Sequence, residues 1–178
     1  MKPFDIRIRD YRSSDLDAQI ELRRGSIRRI AGRDYTHEQV TAWAPDIVDR
    51  ETAAARNLSR RVWVAEIGGV LVGYTDLEPN GHLDRMYVHA DFQRVGVATA
   101  LLSTAEAAAK EGGLTRLYSE VSITARPFFE RRGFRVIAAQ TVTSNGQEYL
   151  NYRMEKRLSP TKVPDEISTE AVRRRSRG

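Results

Sequence analysis

The chain has 178 residues, no cysteine, 40% hydrophobic residues and a formal net charge of +5. This length suits one domain with a substantial core, and the apolar content argues against an intrinsically disordered chain. The lack of cysteine excludes disulfides, a cysteine nucleophile and cysteine-ligated zinc, and the short apolar runs exclude a helix that spans a membrane.

The charge is carried mainly by arginine, because only four of the 29 basic residues are lysines. Guanidinium groups pair well with phosphate. Residues 159–178 hold five basic and three acidic side chains, and we predict a disordered tail there after a single domain over 1–158. The remaining charge is modest and no RNA-binding motif is present, so we expect no nucleic-acid partner. No apolar stretch follows Met1, so we expect no signal peptide and a cytoplasmic location.

The first third of the chain predicts one strand and three helices. Residues 4–9 alternate between apolar and polar as in a strand, and the serines and aspartates of 13–17 can cap a first helix. Thr36 opens a capping box for a second helix, which Pro45 ends. Residues 46–59 predict the third helix.

Three strands are predicted next. Residues 62–67 and 70–74 are joined by Gly68-Gly69, which fits a tight hairpin. Residues 82–89 form the third strand, and its segment from Met86 to Val88 is apolar on both faces, as a central strand would be.

The remaining elements alternate before a final hairpin. Small and apolar residues recur at helical spacing after Gly96. A strand over 114–121 and a short helix around Phe128 follow. Residues 135–143 and 148–156 then predict the hairpin.

The segment from Tyr87 to Leu102 is the most informative part of the chain. It predicts a strand, a turn containing Gly96 and a helix whose first residues are small or β-branched. Such a helix start exposes unpaired backbone N–H groups and the positive end of the helix dipole, so a phosphate can approach. There is no Gly-Lys-Ser/Thr and only one glycine, so the segment is neither a P-loop nor a Rossmann turn.

Two motifs resemble the GNAT (GCN5-related N-acetyltransferase) superfamily. Gln93, Arg94, Gly96 and Ala98 fall on its acyl-CoA signature, Gln/Arg-x-x-Gly-x-Gly/Ala. The segment 125–134 resembles its second signature, Ala-x-x-(Leu/Phe)-Tyr-Glu-x-x-Gly-Phe. The order and spacing of the motifs also suit the family, over residues 4–156.

Three further stretches, 83–89, 122–129 and 149–154, look similar to a YafP-like bacterial subgroup. The resemblance implies an α/β GNAT fold, with a mixed, twisted central sheet of about seven strands flanked by helices. It also implies an acyl-CoA-dependent N-acyltransferase that uses acetyl-CoA, without a metal, to acetylate a small-molecule or peptide amine in a ternary complex. Many such proteins dimerise through their C-terminal strands.

The resemblance further implies where acetyl-CoA binds. The backbone N–H groups from Arg94 to Thr99 would hold the pyrophosphate, with the Arg94 side chain either on phosphate or in solvent. The pantetheine amides would use the strand before the motif. The implied cofactor-binding set is Met86, Tyr87, Val88, Gln93, Arg94, Val95, Gly96, Val97, Ala98, Thr99 and Phe129.

The acceptor amine must be neutral to attack, although a lysine ammonium has a pKa of about 10.4 and an α-amine about 7.7–8.0. A general base is therefore required, and the candidates are Glu78, Asp84 and Glu120. Glu120 is favoured, because its strand should splay away toward the acceptor. Each carboxylate has an alternative interpretation as a surface partner of an arginine. His82 and His89 carry suitable side chains, but His89 lies in the turn and is expected to be structural.

One departure from the family bears on the mechanism. The family's tyrosine, which can protonate the departing thiolate, is replaced by Phe129. Tyr118 or a water substitutes, or the thiolate of a thiol with a pKa of about 8.5 leaves unassisted. A second departure is Ser122, where many members have Asn.

An aromatic set is expected to line the acceptor pocket. It comprises Tyr35, Trp43, Tyr149 and Tyr152, together with Asn151, and Glu78 is expected nearby. Trp43 has an alternative interpretation as the core face of the second helix.

Two other functions remain open at this point. One is a non-catalytic acyl-CoA-binding module for sensing, which the missing motif tyrosine favours. The other is a ribosome- or nucleic-acid-associated protein that works through its arginines.

Overall fold

The computed structural model describes residues 4–159, which contain seven strands and five α-helices. The strands are β1 (Arg7–Asp10), β2 (Arg61–Ile67), β3 (Val70–Leu77), β4 (Met86–Val88), β5 (Arg116–Ser122), β6 (Arg135–Ser144) and β7 (Gln147–Arg157). The helices are α1 (Leu16–Arg29), α2 (His37–Trp43), α3 (Arg50–Leu58), α4 (Val97–Glu111) and α5 (Arg126–Arg131). The predicted tail lies outside the described residues from position 160 onward, as does the start of the chain, Met1 to Pro3.

The strands form two antiparallel sheets, ordered β1-β2-β3-β4 and β5-β7-β6. A parallel bridge between His82 and Tyr118 joins them. Beyond this bridge β4 and β5 belong to different sheets, so within residues 4–159 the edge of β4 that faces β5 has no strand partner. The predicted α/β fold, with about seven strands and flanking helices, is thus confirmed. The predicted central sheet is divided into two sheets between β4 and β5.

The two elements that fall furthest short of the sequence prediction are one strand and one helix, and each has a local cause. The strand expected over 82–89 is paired only over β4, because the Asp76 carboxylate accepts the backbone N–H groups of Asp84 and Arg85 at 3.1 and 3.0 Å. The helix expected over 46–59 begins at Arg50, because the side chain of Asp49 caps it.

Helices cover both faces of the first sheet. Val64 packs with Leu22 of α1, whereas its neighbours Trp63 and Ala65 belong to the core that includes α4. Alternate residues of a strand point to opposite faces, so α1 and α4 lie on opposite sides. No helix within residues 4–159 is both long and apolar enough to cross a membrane.

The start of α4 is fixed by a close approach to β3. A Cβ atom at Gly73 would lie 2.6 Å from Cγ1 of Val97 and 3.0 Å from Cδ1 of Leu101. Only glycine leaves room for this packing, which buries Val97 and Leu101 almost completely. The first turn of α4 is therefore held against the sheet, next to the open edge of β4.

Candidate active site

The turn before α4 presents a row of unpaired backbone donors. Arg94 and Gly96 both have left-handed backbone conformations, with φ of 64° and 103°. The first backbone N–H to pair is that of Ala100, which donates to the Gly96 carbonyl at 3.0 Å. Among the described residues, the six N–H groups from Arg94 to Thr99 have no acceptor. We call this row the α4 cradle; a concave row of donors at a helix start can bind an anion.

Two guanidinium groups stand at the α4 cradle. Arg94 is exposed. Arg132, at the end of α5, donates to the Thr99 hydroxyl at 2.5 Å and lies over the Phe128 ring. Sequence reasoning missed Arg132, although it belongs to the second motif, because nothing in the pattern says that α5 ends beside the start of α4. Both arginines add positive charge to a site already suited to phosphate.

Gln93 supports the turn from behind. Its side-chain amide donates to the carbonyls of Val88 and His89 at 3.0 and 3.3 Å, so that amide nitrogen is engaged with the chain itself. The His89 ring accepts the Asp91 N–H at 3.2 Å, which is consistent with the expected structural role. Both contacts fix the path of the chain from β4 into the α4 cradle.

The open edge of β4 presents the backbone N–H groups of two residues on the cleft side. Tyr87 is paired with Tyr74 of β3, and the next bonded pair is His89 N–H to Val72 carbonyl at 2.8 Å. Bonding alternates along an antiparallel strand, so the backbone N–H groups of Met86 and Val88 point away from β3, toward β5. Of the three strand residues expected to bind pantetheine, these two present backbone N–H groups, and Tyr87 presents its ring.

A cleft of about 280 Å³ opens between the two sheets. Its walls come from α1, α2, α3 and all four strands from β4 to β7. The lining residues are Arg23, Tyr35, Trp43, Arg56, Asp84, Arg85, Tyr87, Glu120, Ser122, Val142, Ser144, Tyr149 and Asn151.

Glu120 lies in this cleft, and its carboxylate contacts the ring of His82. The Nε2 atom of His82 is 2.6 Å from Oε2 of Glu120, and the other ring nitrogen is 3.4 Å from Glu78. The His82 ring stacks on Tyr118, with ring centroids 4.8 Å apart. Tyr118 is absent from the cleft lining, and the bridge that joins the sheets fixes all of these side chains relative to one another.

Asp84 also lines the cleft, but arginines hold it. Its carboxylate accepts from Arg60 at 2.7 Å and from Arg56. Glu78 forms a salt bridge with Arg60 at 2.8 Å and lines a separate depression on the far side of His82. Of the three candidate bases, Glu120 is therefore the one that faces the cleft without an arginine partner in the described part of the chain.

A buried network lies beneath Asp84. Asp76 is fully buried and accepts from Nε of Arg85 at 2.5 Å, and Arg85 also donates to Asn57 at 2.9 Å. Burial disfavours the charged form of Arg85, but the Asp76 carboxylate outweighs this effect and raises the pKa of Arg85. The network holds β3 and the start of β4 in register beside α3.

Three aromatic side chains form one wall of the cleft. Ring centroids of Tyr35, Trp43 and Tyr149 lie 5.4 to 6.1 Å apart. The Tyr35 hydroxyl donates to the Leu150 carbonyl at 2.9 Å and accepts the Ile123 N–H at 3.0 Å. Burial raises the pKa of both tyrosines. Trp43 thus packs and lines the cleft at once, and its two interpretations are compatible.

Two other predicted residues lie elsewhere. Phe129 is buried, with its ring 5.6 Å from Phe128 and 5.0 Å from Phe134, so it belongs to the core beneath the second motif. Tyr152 lies under the guanidinium of Arg126 at 4.4 Å and is absent from the cleft lining. Asn151 does line the cleft, and its buried Oδ1 atom accepts no hydrogen bond from any residue that the structure describes.

Sequence reasoning missed three arginines of the cleft, Arg23, Arg56 and Arg85. They are three of 29 basic residues, and nothing in their local pattern separates them from the others. Only the packing of α1 and α3 against the first sheet brings them together.

Known proteins resemble this chain over most of its length. A family model described as an acetyltransferase (GNAT) domain matches residues 31–156. The uncharacterized N-acetyltransferase YafP of Escherichia coli (strain K12) is 31% identical over 150 residues, which is 84% of this chain and 95% of YafP. These matches agree with the resemblance that the two motifs predict.

Solved structures share the fold. A GCN5-related N-acetyltransferase from Rhodopseudomonas palustris is 32% identical with a TM-score of 0.85, over 89% of this chain and 99% of that one. The structure of yncA from Salmonella typhimurium, with its cofactor acetyl-CoA, is 21% identical with a TM-score of 0.65, over 90% of this chain and 98% of that one. The family model and the YafP relative each cover more than half of the chain, and the chain therefore belongs to the GNAT acetyltransferase family.

Proposed function

We propose that the protein transfers an acetyl group from acetyl-CoA to a primary amine, by direct attack within a ternary complex. The observation that carries this proposal is the junction of three features: the α4 cradle, the open edge of β4, and a side-chain cleft that holds Glu120. The complex of yncA with acetyl-CoA supports the choice of donor.

Acetyl-CoA, the acetyl donor, would bind mainly to backbone N–H groups. The pyrophosphate accepts hydrogen bonds from the N–H groups of Arg94 to Thr99, and the dipole of α4 adds about 0.3–2 kcal/mol. Arg94 and Arg132 supply charge at the same place. The pantetheine amides would pair with the N–H groups of Met86 and Val88, which lead toward the cleft.

The acceptor would lose its proton to Glu120. Glu120 takes one proton from the ammonium, and the neutral nitrogen then attacks the thioester carbonyl. A C–N bond forms, the C–S bond breaks, and CoA leaves as the thiolate. The nitrogen releases its second proton to solvent to give the neutral amide, and the thiolate takes up a proton from solvent. His82, whose Nε2 atom lies 2.6 Å from Glu120, can donate a hydrogen bond to the carboxylate and so stabilise its charge.

Tyr118 is a weaker candidate for the general acid, because its ring is stacked on His82 and is absent from the cleft lining. A thiol with a pKa of about 8.5 is a tolerable leaving group at neutral pH. Unassisted departure of the thiolate is therefore the simpler interpretation of Phe129.

One specific observation favours a second function, a non-catalytic acyl-CoA-binding module. The residue at the position of the motif tyrosine is a buried phenylalanine with no hydroxyl. In that case the α4 cradle would bind acyl-CoA, and the cleft would not catalyse transfer.

Two measurements separate these functions. Acetyl-CoA should raise the melting temperature, and a panel of primary amines should then release CoA in an acceptor-dependent way, detected with a thiol reagent. A melting temperature unaffected by acetyl-CoA would contradict both functions. A thermal shift without acceptor-dependent release for any amine would support the binding module.

A further inference from the structure

Arg23 differs from the other two arginines of the cleft in having no acidic partner within the described part of the chain. The Arg56 guanidinium pairs with Asp84, and that of Arg85 pairs with Asp76. Among the described residues, no carboxylate lies within ion-pairing distance of Arg23. The positive charges of Arg56 and Arg85 are therefore balanced, and that of Arg23 is not.

The Arg23 side chain is nevertheless held in place. Its Nη2 atom donates to the Trp43 carbonyl at 3.1 Å, and its guanidinium lies 5.7 Å from the centre of the Tyr87 ring. A guanidinium has five N–H donors in a rigid fork. A carboxylate that binds with two hydrogen bonds uses Nη2 together with either Nε or Nη1. Nη2 gives one of its two N–H groups to Trp43, and among the described residues its second N–H, Nε and Nη1 have no acceptor, so one positively charged fork remains for a ligand.

The opposite charge in the cleft lies on Glu120, on β5. An acceptor amine would approach this carboxylate as an ammonium. A small ligand in this cleft therefore meets one unpaired cation on α1 and one carboxylate on β5. Asn151 adds a neutral side chain whose amide makes no hydrogen bond with any described residue.

The size and walls of the cleft restrict the rest of the ligand. Its volume of about 280 Å³ is at the small end for ligand pockets, which span roughly 300–1,000 Å³. Tyr35, Trp43 and Tyr149 offer an apolar wall for a carbon skeleton. A single amino acid fits within these limits, whereas a longer acceptor would have to extend out of the cleft.

We infer that the acceptor is a free amino acid with an apolar side chain: its carboxylate binds the Arg23 fork, and its α-amine lies at Glu120. This inference rests on the proposed function and specifies the acceptor of the same site. Arginine binds carboxylates through two parallel hydrogen bonds, which fix orientation as well as affinity. The carboxylate of the substrate would thus turn its amine toward the thioester.

The test uses matched acceptors that differ only in the carboxylate. L-leucine is compared with 3-methylbutylamine and L-leucinamide, and L-phenylalanine with 2-phenylethylamine, by the rate of CoA release from acetyl-CoA. We expect kcat/KM to be at least about 10-fold higher for each amino acid, because a charge-assisted hydrogen bond is lost in the analogues. In Arg23→Gln, KM for the amino acids should rise about 10- to 100-fold, whereas kinetics with the simple amines should change little.

Two control variants test whether the effect is specific to the guanidinium of Arg23. Arg33→Gln removes an exposed arginine outside the cleft lining, and its kinetics should match those of the unmodified protein. Arg23→Lys keeps the charge without the fork and should fall between the unmodified protein and Arg23→Gln. The thermal shift with acetyl-CoA should be the same in all variants, which shows that each one folds and binds the donor.

The outcomes separate this inference from the proposed function. If simple amines or peptides are acetylated as well as amino acids, or if Arg23→Gln affects every acceptor equally, the inference is overturned and the acetyltransferase proposal stands. If no amine releases CoA although acetyl-CoA binds, the proposed function fails and the inference with it.

Discussion

The α4 cradle and the acceptor cleft are built in contrasting ways. The α4 cradle consists of backbone N–H groups from six consecutive residues, Arg94 to Thr99, whose geometry is set by one turn. The cleft consists of side chains from three helices and four strands. A site that binds its ligand through backbone groups tolerates many side chains, provided that they are small. A site that binds its ligand through side chains changes its specificity when those side chains are substituted. The donor should thus be common to the family and the acceptor specific to this chain.

The largest effect on activity should come from a substitution in the cleft that leaves the α4 cradle unchanged. Glu120→Gln removes the proposed base while keeping the size of the side chain, so kcat should fall about 10²- to 10⁴-fold. The thermal shift with acetyl-CoA should not change, because the α4 cradle is intact. Glu111→Gln, at the exposed end of α4, is the matched control. Activity within threefold of the unmodified protein would remove Glu120 from the mechanism and direct attention to Asp84.

The second substitution disturbs the α4 cradle and leaves the side chains of the cleft unchanged. Gly96→Glu places a side chain on a backbone with φ of 103° and a carboxylate against the phosphate. Strain of this kind costs about 1–3 kcal/mol, and we expect the acetyl-CoA thermal shift to disappear. Gly69→Glu, at φ of 81° in the hairpin between β2 and β3, carries similar strain with open space around it. Retention of the thermal shift in Gly96→Glu would place the pyrophosphate elsewhere.

A smaller effect is expected from the charge around the α4 cradle. Arg132→Gln removes an exposed guanidinium beside Thr99, which should weaken acetyl-CoA binding roughly fivefold, for a loss of about 1 kcal/mol. The change should shrink at high salt, since exposed charges are screened. Arg131→Gln, one residue earlier on α5, is the control. Titration calorimetry at two salt concentrations measures the affinity of each variant for acetyl-CoA. Equal losses of affinity in Arg132→Gln and Arg131→Gln would contradict a specific role for Arg132.

The smallest effect on ligand binding is expected from a site that belongs to neither region, where the change acts on stability instead. Asp15 pairs with Arg9 at 2.7 Å, and this hydrogen bond lowers the pKa of Asp15 in the folded protein. The carboxylate therefore stabilises the fold above the ordinary aspartate pKa of about 3.9, and this contribution is lost as the pH falls through the lower folded value.

Asp15→Asn should accordingly be less stable at pH 7 by about 1–2 kcal/mol, and its melting temperature should approach that of the unmodified protein as the pH falls below 3.9. Acetyl-CoA binding at neutral pH should be unchanged. A constant difference in melting temperature at every pH would contradict the assigned role of the carboxylate.

The same contrast explains what could be predicted from the sequence. The order of strands and helices follows from periodicity, caps and turn residues, all of which are local. The turn at Gly96 is also local, and the motifs therefore predict a phosphate site whose row of free N–H groups the structure contains. The family assignment is confirmed, whereas the roles of the individual site residues stay predictions.

The cleft could be predicted only in part, because tertiary packing assembles it. Glu120 is favoured from its strand, but nothing in the sequence pairs it with His82 at a distance of 38 residues. The sequence favours Glu120 over Asp84 by its strand, but it does not show that Arg56 and Arg60 pair with the Asp84 carboxylate. Arg23 carries no local signal, because its importance depends on the absence of a nearby carboxylate in the folded protein.

The central claim is that one ligand spans a backbone α4 cradle and reaches a side-chain cleft. A crystal structure with acetyl-CoA tests it most directly. We predict pyrophosphate oxygens within hydrogen-bond distance of the N–H groups of Arg94 to Thr99, pantetheine amides on Met86 and Val88, and the thioester at the mouth of the cleft that holds Glu120. Pyrophosphate bound away from the α4 cradle, or a thioester separated from Glu120 by protein, would contradict it.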